Sequence, residues 1–414
     1  MRPGVAAAFV VIATVAAARP AAAYSVLSHQ AIIDAAWEPV IVPVLRARYR
    51  LGADDLRRAR AFAYGGSLIQ DIGYYPLSSR LFGDLTHYVR SGDFVEALVR
   101  EAADPMEYAF ALGALAHYAA DNNGHPSAVN RAVPLVYPKL FARYGPQVTY
   151  AQSPSAHLRM EFGFDVLQVA RGRYLSDAYH DFIGFEVAKG VLDRATRRTY
   201  GLPLEDIFGA LDFSIGTFRW TVSRMIPEAT KVAWDLKRDE ILTDTPDMTR
   251  ERFLFRMPRG SYEQKYGRDY KRPGWGHRIL ALLFRLIPKF GPFRPLAFEP
   301  PTPEAEQLFV ASFTSTVRRY ESLIEAAARG RLALDNLNCD TGRPVKAGDY
   351  PLVDRTYERL IGRMADERFA GFPAELRRNV LAFYADADAP LETKKSRKRW
   401  KTLQQHIATL RDLR

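Results

Sequence analysis

Apolar residues recur at helical spacing through most of this chain, and runs that alternate between apolar and polar positions are few, so the pattern predicts an all-α protein. The clearest element begins at Thr302-Pro303, a capping residue followed by proline at the first helical position. It carries Phe309, Phe313, Val317, Tyr320, Ile324 and Ala327 along one face before Gly330 ends it. That face is predicted to be core. The proline cluster Glu299-Pro300-Pro301-Thr302-Pro303 blocks helix on its N-terminal side and marks the best boundary between segments.

Residues 1–23 have a different character: Arg2, then an apolar run from Val5 to Ala18 too short to span a bilayer comfortably, then Ala21-Ala22-Ala23. They are expected to form a secretory signal, with an uncleaved N-terminal anchor as the alternative; cleavage leaves Tyr24 as the first mature residue and places the protein outside the cytoplasm, secreted or periplasmic. The remainder divides into a helical domain over 24–235, a basic connecting segment rich in proline and aromatic residues over 236–302, and a helical region over 303–414. Within the connecting segment, His277 to Ile287 carries Ile279, Leu280, Leu282, Leu283, Phe284, Leu286 and Ile287 between Arg278, Arg285 and Lys289. It is either a buried helix or a helix for peripheral membrane contact. The run from Lys394 to Lys401 reads as a solvated helix face.

With 48% hydrophobic residues the chain can bury a large core, and a net charge of +11 attracts anions: lipid headgroups, phosphate esters and nucleic acids alike. Cys339 is the single cysteine, which excludes an intramolecular disulfide and a thiolate metal cluster. Any metal must therefore be held by His, Asp and Glu.

Five of the eight histidines fall in the first 160 residues, beside carboxylates at ligand spacing. The densest group is His117-Tyr-Ala-Ala-Asp121-Asn-Asn-Gly-His125, in which steps of four put the three side chains on one helical face. His157 and Glu161 repeat that step. Zinc favours imidazole nitrogen and carboxylate oxygen where thiolates are absent. His29, Asp71 and His87 complete the candidate set, although a lone histidine is more often structural than a ligand. His180, His277 and His406 lack partners at ligand spacing, and Asp84 and Asp165 read as polar surface or capping residues.

The ordered set Tyr24, His29, Asp71, His87, His117, Asp121, His125, His157 and Glu161 resembles the zinc-dependent phospholipase C family, which is distantly related to P1/S1-type single-strand nucleases and to the glycosylphosphatidylinositol-specific phospholipase D branch. The resemblance covers roughly residues 24–235. It implies up to three zinc ions: one held by Asp71, His87, His117 and Asp121, a second by His125, His157 and Glu161, and a third by His29 with the amino nitrogen and carbonyl of Tyr24, shared through Asp121. It also implies hydrolysis of a phosphate ester by metal-activated water, with Asp71 as general base. His125-Pro126 followed by Asn130 favours a phospholipid phosphodiester as substrate. A nuclease-like or other phosphoesterase stays open, with Tyr74, Tyr75, Tyr88 and Tyr118 as candidate base-stacking residues, as does a non-catalytic, metal-stabilised protein of membrane surfaces.

Overall fold

The computed structural model describes residues 25–75, 78–171, 173–174, 185–244, 246–254 and 299–413. Tyr24, the segment from His277 to Ile287, His180 and His277 lie outside them. The described part is almost wholly helical, and its one sheet is a two-stranded antiparallel hairpin, β1 (Leu337–Asn338) and β2 (Arg343–Pro344). The helices that carry the site are α1 (Val26–Ala36), α2 (Ala53–Ile69), α3 (Arg80–Tyr88), α4 (Ser91–Glu101), α5 (Pro105–Gly124) and α6 (Pro154–Ala170), with α7 (Pro303–Ala328) and α8 (Pro351–Asp366) packed against them.

Helices α2 and α5 meet at glycines. A Cβ on Gly66 would lie 1.9 Å from the Phe110 carbonyl oxygen, and one on Gly113 would lie 2.0 Å from that of Ala63. Only hydrogen at these positions lets the two backbones touch. This contact brings the end of α2, and with it Asp71 on the short 3-10 turn Gln70–Tyr74, beside His117 on α5.

Helix α5 is capped by Asp104, which accepts from the backbone N–H groups of Met106 and Glu107, and it does not stop at Gly124. It widens into a π-helical turn, His125–Val129, and continues as Asn130–Val136. Pro126 supplies the reason. It has no N–H to return to the Asn122 carbonyl, and the wider turn absorbs the break.

The capped helix expected from Thr302 is α7: the Thr302 hydroxyl accepts from Ala305 N–H at 3.2 Å, and Gly330, at φ +65°, follows its end. Phe309, Tyr320, Ile324 and Ala327 are buried as expected, whereas Phe313 and Val317 are partly buried and pack against the core. Ser312 and Thr316 are buried as well, because Asn123 on α5 donates to the Ser312 carbonyl (3.1 Å) and to the Thr316 hydroxyl (2.7 Å). Tyr320 donates to the Leu112 carbonyl at 2.9 Å, and Phe309 stacks on Phe164 with centroids 4.5 Å apart. The C-terminal helices thus share one core with the N-terminal ones. The basic run near the C-terminus is largely exposed, with Lys394 over the Trp400 ring and Arg399 paired with Glu358. No helix among the described residues is long and apolar enough to cross a membrane.

Candidate metal centre

His29, Asp71, His87, His117, Asp121, His125, His157 and Glu161 lie buried in one cluster, each at 3% exposure or less. They fall into three groups, of which the first two share His117: His29, Asp71 and His117; His87, His117 and Asp121; and His125, His157 and Glu161.

In the middle group, His117 Nε2 lies 3.2 Å from Asp121 Oδ2, His87 Nε2 lies 3.4 Å from the same oxygen, and the two Nε2 atoms are 3.4 Å apart. Asp71 Oδ1 is a further 3.4 Å from His87 Nε2. The ring orientations are fixed from behind. His117 Nδ1 donates to the Ser67 carbonyl (2.9 Å) and His87 Nδ1 to the Gly83 carbonyl (2.8 Å). With Nδ1 protonated, each Nε2 of a neutral ring presents a lone pair to the other, an arrangement that is repulsive unless a cation sits between them. Asp121 is shared: its other oxygen, Oδ1, faces His29 Nε2 at 3.6 Å, and the His29 ring stacks on His117 at 4.4 Å.

The third group is built the same way. His157 donates through Nε2 to the Val148 carbonyl, which turns Nδ1 toward Glu161 Oε1 at 3.7 Å, and His125 Nε2 approaches that oxygen at 3.7 Å. Asp71 Oδ1, both Asp121 oxygens, His125 Nε2, His157 Nδ1 and Glu161 Oε1 are buried without a hydrogen-bond partner. So many unsatisfied polar atoms facing one another would be costly in a closed core. A tetrahedral zinc with bonds of about 2.05 Å holds its ligand atoms about 3.3 Å apart, close to these separations. The donor set therefore fits zinc.

The charges of the protein's own groups follow from these contacts. Burial alone would lower the His87 imidazole, but Asp121 and Asp71 outweigh it and push it up to about 10. His117 is raised against burial by Asp121 and Asp71, while burial and the neighbouring His117 hold His29 well below its ordinary value. Burial lifts Asp71; Asp121 is driven well below the usual carboxylate range, against burial, chiefly by His117. A proton thus occupies His87 up to about pH 10, and a metal needs that nitrogen neutral. Zinc loading near neutral pH is expected to release at least one proton per chain, so zinc affinity rises with pH until His87 loses its proton unaided. Titration calorimetry in two buffers of different ionisation enthalpy reads this directly. Identical heats in the two buffers would contradict it.

The reading of Asp84 and Asp165 as polar surface or capping residues needs correction, because both are buried. Asp165 does cap a helix: it accepts from Leu27 N–H (2.9 Å), Ser28 N–H (3.0 Å) and the Ser28 hydroxyl (2.7 Å), and so anchors the start of α1 just ahead of His29. Burial raises its carboxyl to about 6. Asp84 accepts from the Arg359 guanidinium on α8 at 2.9 Å. The four tyrosines considered as a base-stacking platform are buried too, with Tyr88 and Tyr118 donating to Asp340 and to the Asp335 carbonyl. None offers an open ring face, and the nuclease reading loses its support.

Sequence reasoning missed Asp340. It lies between β1 and β2, and its Oδ1 is 3.2 Å from His125 Nδ1. A lone aspartate far beyond Glu161 has no ligand spacing; the one signal was the turn-forming run Asn338-Cys339-Asp340-Thr341-Gly342 in an otherwise helical region.

A family model described as zinc dependent phospholipase C matches residues 28–209. No curated protein and no solved structure matches the chain.

Proposed function

Through residues 28–209 the chain belongs to the zinc-dependent phospholipase C family, and on that premise we propose that it hydrolyses phospholipid phosphodiester bonds as a secreted or periplasmic enzyme with up to three zinc ions. The observation that carries this reading is the set of buried ligand atoms of Asp121, His87, His117, His125, His157 and Glu161 held 3.2–3.7 Å apart, among which both Asp121 oxygens, His125 Nε2, His157 Nδ1 and Glu161 Oε1 have no hydrogen-bond partner. Asp71, His87, His117 and Asp121 would hold one ion; His125, His157 and Glu161 a second. His29, with the amine and carbonyl of Tyr24 once any leader is removed, would hold the third.

Bound zinc would lower the pKa of a water, orient it for in-line attack at phosphorus and stabilise charge on the leaving oxygen. The chain's own residues set the conditions for that chemistry. The backbone carbonyls of Ser67, Gly83 and Val148 lock three imidazoles with their free nitrogens inward. Asp71, raised by burial, is placed to accept a proton at Oδ2, the oxygen turned away from His87 and 4.0 Å from His29 Nε2. The apolar segment His277 to Ile287 is the candidate for membrane contact, with a buried helix as the other reading of the same residues.

A substrate panel tests the assignment: phospholipid vesicles, a soluble phosphodiester, a phosphomonoester and single-stranded DNA. Release of a phosphorylated headgroup from vesicles, faster than turnover of the other three, is expected. Turnover of single-stranded DNA with intact vesicles would overturn it.

A further inference from the structure

The structure assigns Asp340, on the hairpin of the C-terminal region, as the positioning residue for His125 in the third ligand group. His87, His117 and His157 each turn one ring nitrogen to a backbone carbonyl, and that leaves the other nitrogen for the cluster. His125 is built differently. Its Nδ1 faces a carboxylate, Asp340 Oδ1 at 3.2 Å, while its Nε2 faces Glu161.

The carboxylate is itself held from every side. Tyr88 and Tyr350 both donate to Asp340 Oδ2, at 2.7 and 2.6 Å, which leaves Oδ1 for the imidazole. Asn130 donates to the Asp340 carbonyl at 2.9 Å, and Asn338 Oδ1 accepts from the Asp340 N–H at 3.0 Å. The hairpin is seated on the ligand-bearing elements: Cys339 N–H donates to the carbonyl of His87 (3.2 Å), and Ser91 donates to the Leu337 carbonyl (2.7 Å). Gly342, at φ +64°, closes the turn against the Asn122 carbonyl that Pro126 leaves without its helical donor; a Cβ there would come within 2.4 Å of that oxygen. The proline that widens α5 at His125 therefore also opens the seat on which the Asp340 hairpin rests.

A carboxylate behind a ligating imidazole fixes its tautomer and ring plane and makes the other nitrogen a stronger donor. Asp340 and its hairpin lie beyond the segment matched by the family model, residues 28–209. Through Asp340 the C-terminal region thus contributes to the metal site.

The test compares Asp340→Asn with the wild-type protein in competition with a zinc chelator, alongside ¹⁵N shifts of the His125 ring in the zinc-loaded protein. Asparagine keeps the shape and removes the charge. The zinc at His125, His157 and Glu161 is expected to bind roughly 10- to 100-fold more weakly, and the His125 ring shifts to move, while melting of the metal-free protein stays near wild type. Unchanged affinity and unchanged ring shifts would overturn the assignment. Should Asp340→Asn fail to fold, Tyr350→Phe removes one donor to Oδ2 and leaves the carboxylate; several-fold weaker zinc retention supports the inference, and wild-type retention overturns it. The inference rests on the zinc reading of this site, and the two fail separately. Wild-type protein that takes up no zinc defeats that reading, whereas zinc-loaded wild type beside an unaltered Asp340→Asn defeats this inference alone.

Discussion

Asp121→Asn is expected to release at least one zinc ion and to lower phosphodiester hydrolysis by roughly 100-fold or more. Asp121 is fully buried, and its two oxygens serve two sets of partners: Oδ2 meets His87 and His117, and Oδ1 meets His29. His117 and His125 stand one turn to either side of it, so the substitution touches the centre of the cluster. Asparagine preserves volume and helix fit, and it replaces one acceptor oxygen by an N–H₂ group that cannot bind a cation. The comparison variant is Asp54→Asn, whose side chain is 91% exposed and pairs with its helical neighbour Arg57. Asp84 is unsuitable for that purpose, since its loss would leave the Arg359 guanidinium without its buried partner. Zinc content and rate should both fall in Asp121→Asn and both hold in Asp54→Asn. Retention of full zinc and full rate in Asp121→Asn would show that this carboxylate is not a shared ligand.

The second large effect is expected far from any ligand. Gly113→Ala places a methyl group where the Ala63 carbonyl oxygen already sits, 2.0 Å away, with the Ser67 nitrogen at 2.8 Å. Both neighbours are helical backbone and cannot rotate aside, so the helices must separate. Overpacking of this kind costs about 1–3 kcal/mol or more. Separation also moves Ser67, whose carbonyl holds His117, and the turn that carries Asp71. Thermal melting should drop by several degrees and zinc should be held less tightly. Gly362→Ala is the contrast. No heavy atom beyond its own helix lies within 4 Å of that Cβ, and alanine in a helix interior is favoured over glycine by about 0.5–1 kcal/mol. A wild-type melting point for Gly113→Ala would mean that α2 and α5 do not pack on bare glycine.

The sequence carried what depends on spacing within one element. The four-residue steps from His117 to Asp121 to His125 and from His157 to Glu161 were visible because helical periodicity alone puts those side chains on one face. The capped start of α7 was visible for the same local reason. What escaped depends on distant partners. Asp84 and Asp165 read as polar surface or capping residues; Asp165 does cap, but the burial of both escaped because the groups that permit it, Arg359 and the α1 N-terminus, lie far away in the chain. The backbone carbonyls that orient the imidazoles leave no mark on residue identity. Asp340 reaches His125 only through the fold of a hairpin whose strands are two residues each.

The most direct test of the account is the zinc content of the purified, zinc-replete protein by elemental analysis. The ligand groups predict two to three zinc ions per chain. Fewer than one would contradict the metal centre on which the proposed chemistry depends.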